Sequence, residues 1–168
     1  MNELNTLNHK TYSVLNETEN AKYEITDEVH PRNRNLRRIR ALRDIRRHGV
    51  RAGDLGGYIE SEDNLSQDGD AWVFAWLDIY AQVSGNAQVS GNALISGTAR
   101  VSDKAKVFGE ASVTGDAQVS GNASVFGDAM VFGTAQVYDW ASVFGDAMVF
   151  GDADVSGHTL ISGNDKVS

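Results

Sequence analysis

From Ala81 to Ser168 the chain repeats a six-residue unit, Ala-x-Val-x-Gly-x, without a single insertion. The small position is Ala thirteen times, then Thr159, then Asp165, and the residue two places on is Val or Ile in all fifteen units. A fixed period this short marks a solenoid, in which each unit buries its apolar face only by stacking on its neighbours. Within a unit the order small, polar, branched, polar is strand alternation, which puts Ala and Val on one face. β-Branched residues pack well on a pleated surface, so Val and Ile support the same reading. Gly, usually followed by Asn, Asp or Thr, then ends the strand and supplies the positive φ of a tight corner.

Four extended residues and a two-residue corner reverse the chain too little for a hairpin meander. Three units close instead into a triangular coil of about 18 residues, stacked at roughly 4.8 Å. The Ala and Val positions then line the inside of a thin prism, about five coils long from Ala81 onward. Departures from Gly support this coil length. Read every 18 residues, one corner runs Gly85, Asp103, Gly121, Asp139, Gly157, while the other two corners keep Gly throughout. Asp visits the left-handed region more readily than most residues, so both exceptions suit a corner.

The stretches AQVSGNAQVSGNALISG and ASVFGDAMVFGDADVSG resemble the hexapeptide-repeat, left-handed β-helix family. The resemblance covers about two thirds of the chain and implies an all-β solenoid, a left-handed parallel β-helix. The hand comes from the resemblance alone. Ahead of the repeats, residues 40–44 (RALRD), 52–60 (AGDLGGYIE) and 64–66 (NLS) resemble the segment that leads into the repeats of bacterial and prophage-type hexapeptide proteins, described as transferase-like or polymer-forming. A fold of this kind does not itself specify chemistry.

At 168 residues and 41% hydrophobic content, the chain has room for one solenoid plus a cap. It has no Cys, which excludes disulfides and thiol chemistry. No apolar run is long enough to span a bilayer and no secretory pattern follows Met1, so a cytoplasmic protein is expected. Residues 1–20 are polar, with Leu4, Leu7, Val14 and Leu15 loosely at helical spacing, and read as a flexible or helical tail. Residues 21–56 read as a basic cap over the open end of the core, which repeat arrays need. In that cap RRIRALRDI fits a strand or a short helix, because Leu36, Ile39 and Leu42 are three apart. Residues 57–168 form the β-helix. Its first coil is imperfect: Ile59 and Leu65 are six apart, as are Val73 and Ile79, but intervening steps of eight and four break the phase.

Charge is unevenly placed. Residues 30–56 hold nine Arg against Asp44 and Asp54, whereas residues 57–168 hold four basic and fifteen acidic groups. The chain reads as a basic end on an acidic rod. Arg37, Arg38, Arg40, Arg43, Arg46 and Arg47 are the candidate binding residues, since the planar guanidinium suits bidentate pairing with phosphate or carboxylate. Their expected partner is an anionic macromolecule, a nucleotide or an acidic protein surface. A solvated cap face, partly neutralised by the acidic rod, accounts for the same arginines.

The outward residues after each Val form columns. One holds Phe108, Phe126 and Phe144; the next holds Phe132 and Phe150, flanked by Met130 and Met148. Aromatic and Met side chains are enriched at interfaces, so these columns are the candidate homotrimer or homodimer surface. Stacking as fold support explains them too.

Catalytic and metal readings find less. Hexapeptide acyltransferases use a His beside an acyl-CoA cleft, and only His158 lies in the regular rod, at a corner with no loop beside it. The column Asn92, Glu110, Asp128, Asp146, Asn164 has oxygen ligands for Ca²⁺, but the turn preference of Asp explains it equally. No catalytic residue, metal site or cofactor is assigned. At the far end, Thr159 and Asp165 replace the inward Ala, and an inward charge there is expected to block another coil from stacking. The expected function is a non-catalytic oligomeric scaffold with an Arg-rich binding surface, and acyl-CoA-dependent acyl transfer is the alternative.

Overall fold

Each hexad contributes one two-residue rung, and rungs pair in parallel 18 positions apart: Gln118–Val119 lies between Arg100–Val101 and Gln136–Val137. The computed structural model describes residues 21–76 and 79–168. Its rungs form three parallel sheets, the faces of a prism. Face one runs through Val83, Val101, Val119, Val137 and Val155. Face two runs through Val89, Val107, Val125, Val143 and Ile161. Face three runs through Ile95, Val113, Val131, Val149 and Val167. The Ala and Val or Ile positions from Ala81 to Val149 are all inaccessible to solvent. Backbone bonds tie the coils together, for example Gln118 N–H to Ala135 O at 2.9 Å and Ser120 N–H to Val137 O at 2.9 Å. The expected 18-residue parallel solenoid is the fold. At the corners Asp103 and Asp139 take φ of 61° and 60°, as the column of exceptions implies.

The first coil is complete despite its irregular spacing. Ile59 registers with Val83, Leu65 bridges Val89, and Val73 registers with Ile95. The chain then leaves the coil as a small hairpin, with Ala75 opposite Tyr80 and Trp76 opposite Ile79, before Ala81 resumes the repeat. Ile79 therefore takes no inward place, although it follows Val73 by six; it is 46% exposed on the hairpin.

The cap extends face one. Strand β1 (Tyr23–His30) and strand β2 (Asn33–Ala41) form an antiparallel hairpin, and β2 pairs antiparallel with β3 (Leu55–Ile59). β3 in turn pairs in parallel with the Gln82–Val83 rung. RRIRALRDI is thus mainly strand, because alternation buries Ile39 and Ala41 while Arg40 stays outside. Tyr23, Ile39, Ala41, Ile45 and Val50 continue the rod's core over its end. The junction is tight at Gly57, where a Cβ would stand 2.4 Å from Ala81 O and 2.7 Å from Val73 Cγ1.

Among the described residues faces two and three have no such strand above the first coil, and side chains meet its polar groups. Tyr23 Oη donates to Leu65 O at 2.7 Å, and the buried Lys22 Nζ donates to Ala71 O at 2.9 Å. Asn64, also fully buried, spends all its capacity on backbone: Oδ1 accepts from Glu60 and Ser61 N–H, while Nδ2 donates to Gly85 O and Ala87 O. A buried amide with four partners carries no desolvation penalty for an unmet group. The expected tail, residues 1–20, lies outside the described residues. No helix among the described residues is long and apolar enough to cross a membrane.

Candidate functional site

The arginines do not share one surface. The 3-10 turn Arg46–His48 lies against the corner between faces two and three, where Arg47 pairs with Glu110 and His48 Nε2 sits 3.2 Å from Asn92 O. The tip of the β1–β2 hairpin instead lies over face one, where His30 meets Gln82. Four of the six candidate residues are also committed to carboxylates of their own chain. Arg38 pairs with Glu28 at 2.8 Å, Arg40 with Glu24 at 3.3 Å, Arg43 with Asp70 at 3.7 Å, and Arg47 with Glu110. Arg37 and Arg46 are exposed and meet no carboxylate among the described residues; neither do Arg32, Arg34, Arg51 and Arg100. Internal neutralisation thus accounts for four arginines and leaves the others without an ion pair among the described residues.

Arg38 has a different role from the rest. Its guanidinium lies 5.9 Å from the Tyr58 ring centroid and 5.4 Å from that of Tyr80, and Nε donates to Gly56 O at 3.1 Å. Tyr58 is buried in an edge-to-face cluster, its ring 4.8 Å from His30 and 5.1 Å from Tyr80. Its hydroxyl donates to Glu28 Oε1 at 3.0 Å. Burial and that carboxylate push the Tyr58 phenol up to about 12, while the Arg38 bond holds Glu28 below the ordinary carboxylate value. Arg38 is therefore a structural residue of the outer surface of face one.

That cluster forms one wall of a groove of about 680 Å³ that includes His30, Arg32, Tyr80, Gln82, Ser84 and Arg100 in its lining. Arg32 comes from the hairpin turn, and Arg100 from the outward position of a face-one rung. His30 is buried in the same lining; its Nδ1 accepts the Arg32 backbone N–H at 3.1 Å, and its Nε2 lies 3.3 Å from the Gln82 amide. Burial, together with the charges of Arg32 and Arg100, holds His30 below the ordinary histidine value. Arg32 and Arg100 are the two arginines of the groove's lining. Sequence reading passed over Arg32 as a site residue and over Arg100, although Arg100 is the one arginine in the repeat region.

The aromatic columns are real ladders. Phe108 and Phe126 stack at 4.9 Å, Phe126 and Phe144 at 5.0 Å, and Phe132 and Phe150 at 5.3 Å, with rings within 10° of parallel. The spacing is the coil spacing, so each ring half-buries its neighbour and supports the fold. Met130 and Met148 register on face three beside the shorter ladder. At the top of the same face Phe74, Trp76, Ile79 and Leu94 line an apolar groove of about 470 Å³, with Trp76 74% exposed.

His158 sits on an exposed corner, 6.3 Å from the Trp140 ring. In the acidic column Glu110 is engaged by Arg47 and by Asn92 Nδ2. Asp165 is exposed in the last coil, and its carboxylate accepts from Ser162 N–H at 3.3 Å. Among the described residues no three His, Asp or Glu side chains are grouped to hold a metal ion.

A family model described as YdcK beta solenoid repeat matches residues 81–97 and 87–103. Those residues span one full coil and the start of the next, in keeping with the parallel β-solenoid. No curated protein matches the chain.

Proposed function

We propose that the protein is a non-catalytic, self-associating scaffold that engages an anionic partner through its N-terminal end. The observation that carries this reading is the set of exposed arginines near the end of the rod, above all Arg34 and Arg37 on β2, that meet no carboxylate among the described residues. A guanidinium without an ion pair keeps most of its donors for a phosphate or carboxylate. Self-association rests on the ladders and on Met130, Met148 and Trp76, which together leave more apolar surface on the rod than scattered single residues would. The resemblance of residues 40–44, 52–60 and 64–66 to prophage-type proteins suggests a partner that belongs to a host cell. The test is retention of the purified chain on an immobilised sulfated polyanion. With a formal net charge of −8, the protein is retained only if its positive charge acts locally. Flow-through at low salt contradicts the proposal, and tight binding of acyl-CoA in a parallel titration would favour acyl transfer instead.

A further inference from the structure

We infer that the groove between the β1–β2 hairpin tip and face one is a binding site for a diphosphate group. Two guanidinium groups reach it from different elements, Arg32 from the hairpin turn and Arg100 from the rod. Both act electrostatically on the same buried ring, His30, so they converge on one region. Neither meets a carboxylate among the described residues, in a molecule where four other arginines do. Ser84 adds a hydroxyl that makes no hydrogen bond among the described residues. The Asn33 side chain offers its amide NH₂, its Oδ1 being engaged by Asn35 N–H at 3.1 Å.

The shape suits the charge. About 680 Å³ lies within the range of small-molecule pockets rather than that of an extended macromolecular interface. The walls are held in place: His30 is tied to Arg32 and Gln82, and Tyr80 packs edge to face on Tyr58 and His30. Each guanidinium fork can take two oxygens of one phosphoryl group, so two forks match two linked phosphoryl groups. The Asp116 carboxylate accepts from the Thr98 hydroxyl at the groove's edge. Inorganic pyrophosphate and a nucleoside diphosphate share this chemistry, and both are used as probes.

The experiment is calorimetric titration of the full chain with inorganic pyrophosphate and, separately, with ADP. Histidine ring signals are followed by NMR during each titration. The wild type should bind pyrophosphate at one site per chain and shift the His30 ring signals while those of His158 stay still. Arg32→Gln and Arg100→Gln should each weaken binding about tenfold or more, the loss expected for a charge-assisted bond. Both residues are exposed, and an unchanged melting curve confirms that the variants fold. Lys106→Gln, an exposed charge on face two, should bind like the wild type. Equal affinity for the two probes assigns recognition to the diphosphate alone; tighter ADP binding adds the nucleoside to the same site. No pyrophosphate binding, or binding that survives the double variant, overturns the assignment. The outcome is separate from polyanion retention, which rests on Arg34 and Arg37.

Discussion

The Asp103 carboxylate accepts a hydrogen bond at 3.0 Å from the backbone N–H of Gly121, one coil further along the same edge. Asp139 does the same for Gly157 at 3.1 Å, and Glu60 of the first coil does it for Gly85 at 2.7 Å. The alternation of Gly and Asp down this corner thus has a physical cause. An acid above clamps the glycine below, and that glycine leaves room, since a Cβ on Gly121 would stand 2.8 Å from Asp139 N.

Substitutions at Asp103 should separate the two roles. Asp103→Gly loses the clamp alone, worth about 0.5–1.5 kcal/mol. Asp103→Ala loses the clamp and keeps a Cβ in the left-handed conformation without the side-chain hydrogen bonding that lets Asp tolerate it, so it should be about 1–2 kcal/mol less stable than Asp103→Gly. Asp103→Asn keeps an acceptor and should be mildest. Urea unfolding measures the order, and Ala tolerated as well as Gly would contradict it.

Gly57→Ala should be among the most damaging single-methyl additions. The new Cβ meets the Ala81 carbonyl and the Val73 side chain where the cap joins the rod. Backbone atoms cannot swing aside, so a loss of about 1–3 kcal/mol or more is expected in thermal unfolding. The same change at Gly157, where a Cβ meets nothing within 4 Å, strains only the backbone. Equal losses at the two sites would contradict the close approach as the cause.

Lys22 gives the stability a signature in pH. Burial first, and then Arg43, lower its ammonium from 10.5 to about 8. Below about pH 8 the folded and unfolded chains both carry the charge, and the folded chain bears the desolvation. Between about 8 and 10.5 the unfolded chain holds a proton that the folded chain has lost, so this group makes stability rise with pH. Lys22→Met removes the effect. The stability difference between wild type and variant should therefore move in favour of wild type from about pH 7.5 to about 10; a constant difference would contradict the assignment.

Replacing Phe126 and Phe144 with Ser should lower the mass of the particle in light scattering, because these are two of the three rings of the longer ladder. Stability should also fall modestly as the stacking is lost. An oligomer of unchanged mass would leave the ladders as fold support only.

Much of the rod was legible because one short-range rule repeats. Ala and Val alternate, Gly turns, and the Asp103 and Asp139 exceptions betray the 18-residue period. The first coil was harder, since register depends on what stacks below: Val73 answers to Ile95, whereas Ile79, at the same spacing, is carried out on a hairpin. The binding surface was the least legible. Arginine density marked residues 37–47, but density does not reveal pairing. Glu24, Glu28, Asp70 and Glu110 reach four of those arginines only after folding. Arg32 and Arg100 line one groove across 68 positions of sequence, a distance that no local pattern bridges.

That arginines with no ion pair among the described residues carry the binding is tested most directly by salt-gradient elution from an immobilised sulfated polyanion. Arg34→Gln/Arg37→Gln is compared with Arg40→Gln/Arg43→Gln, so each variant loses the same charge. The first pair meets no carboxylate among the described residues, and the second pairs with Glu24 and Asp70. Arg34→Gln/Arg37→Gln should elute clearly earlier than Arg40→Gln/Arg43→Gln. Equal elution of the two variants, or elution of both with the wild type, would contradict the claim.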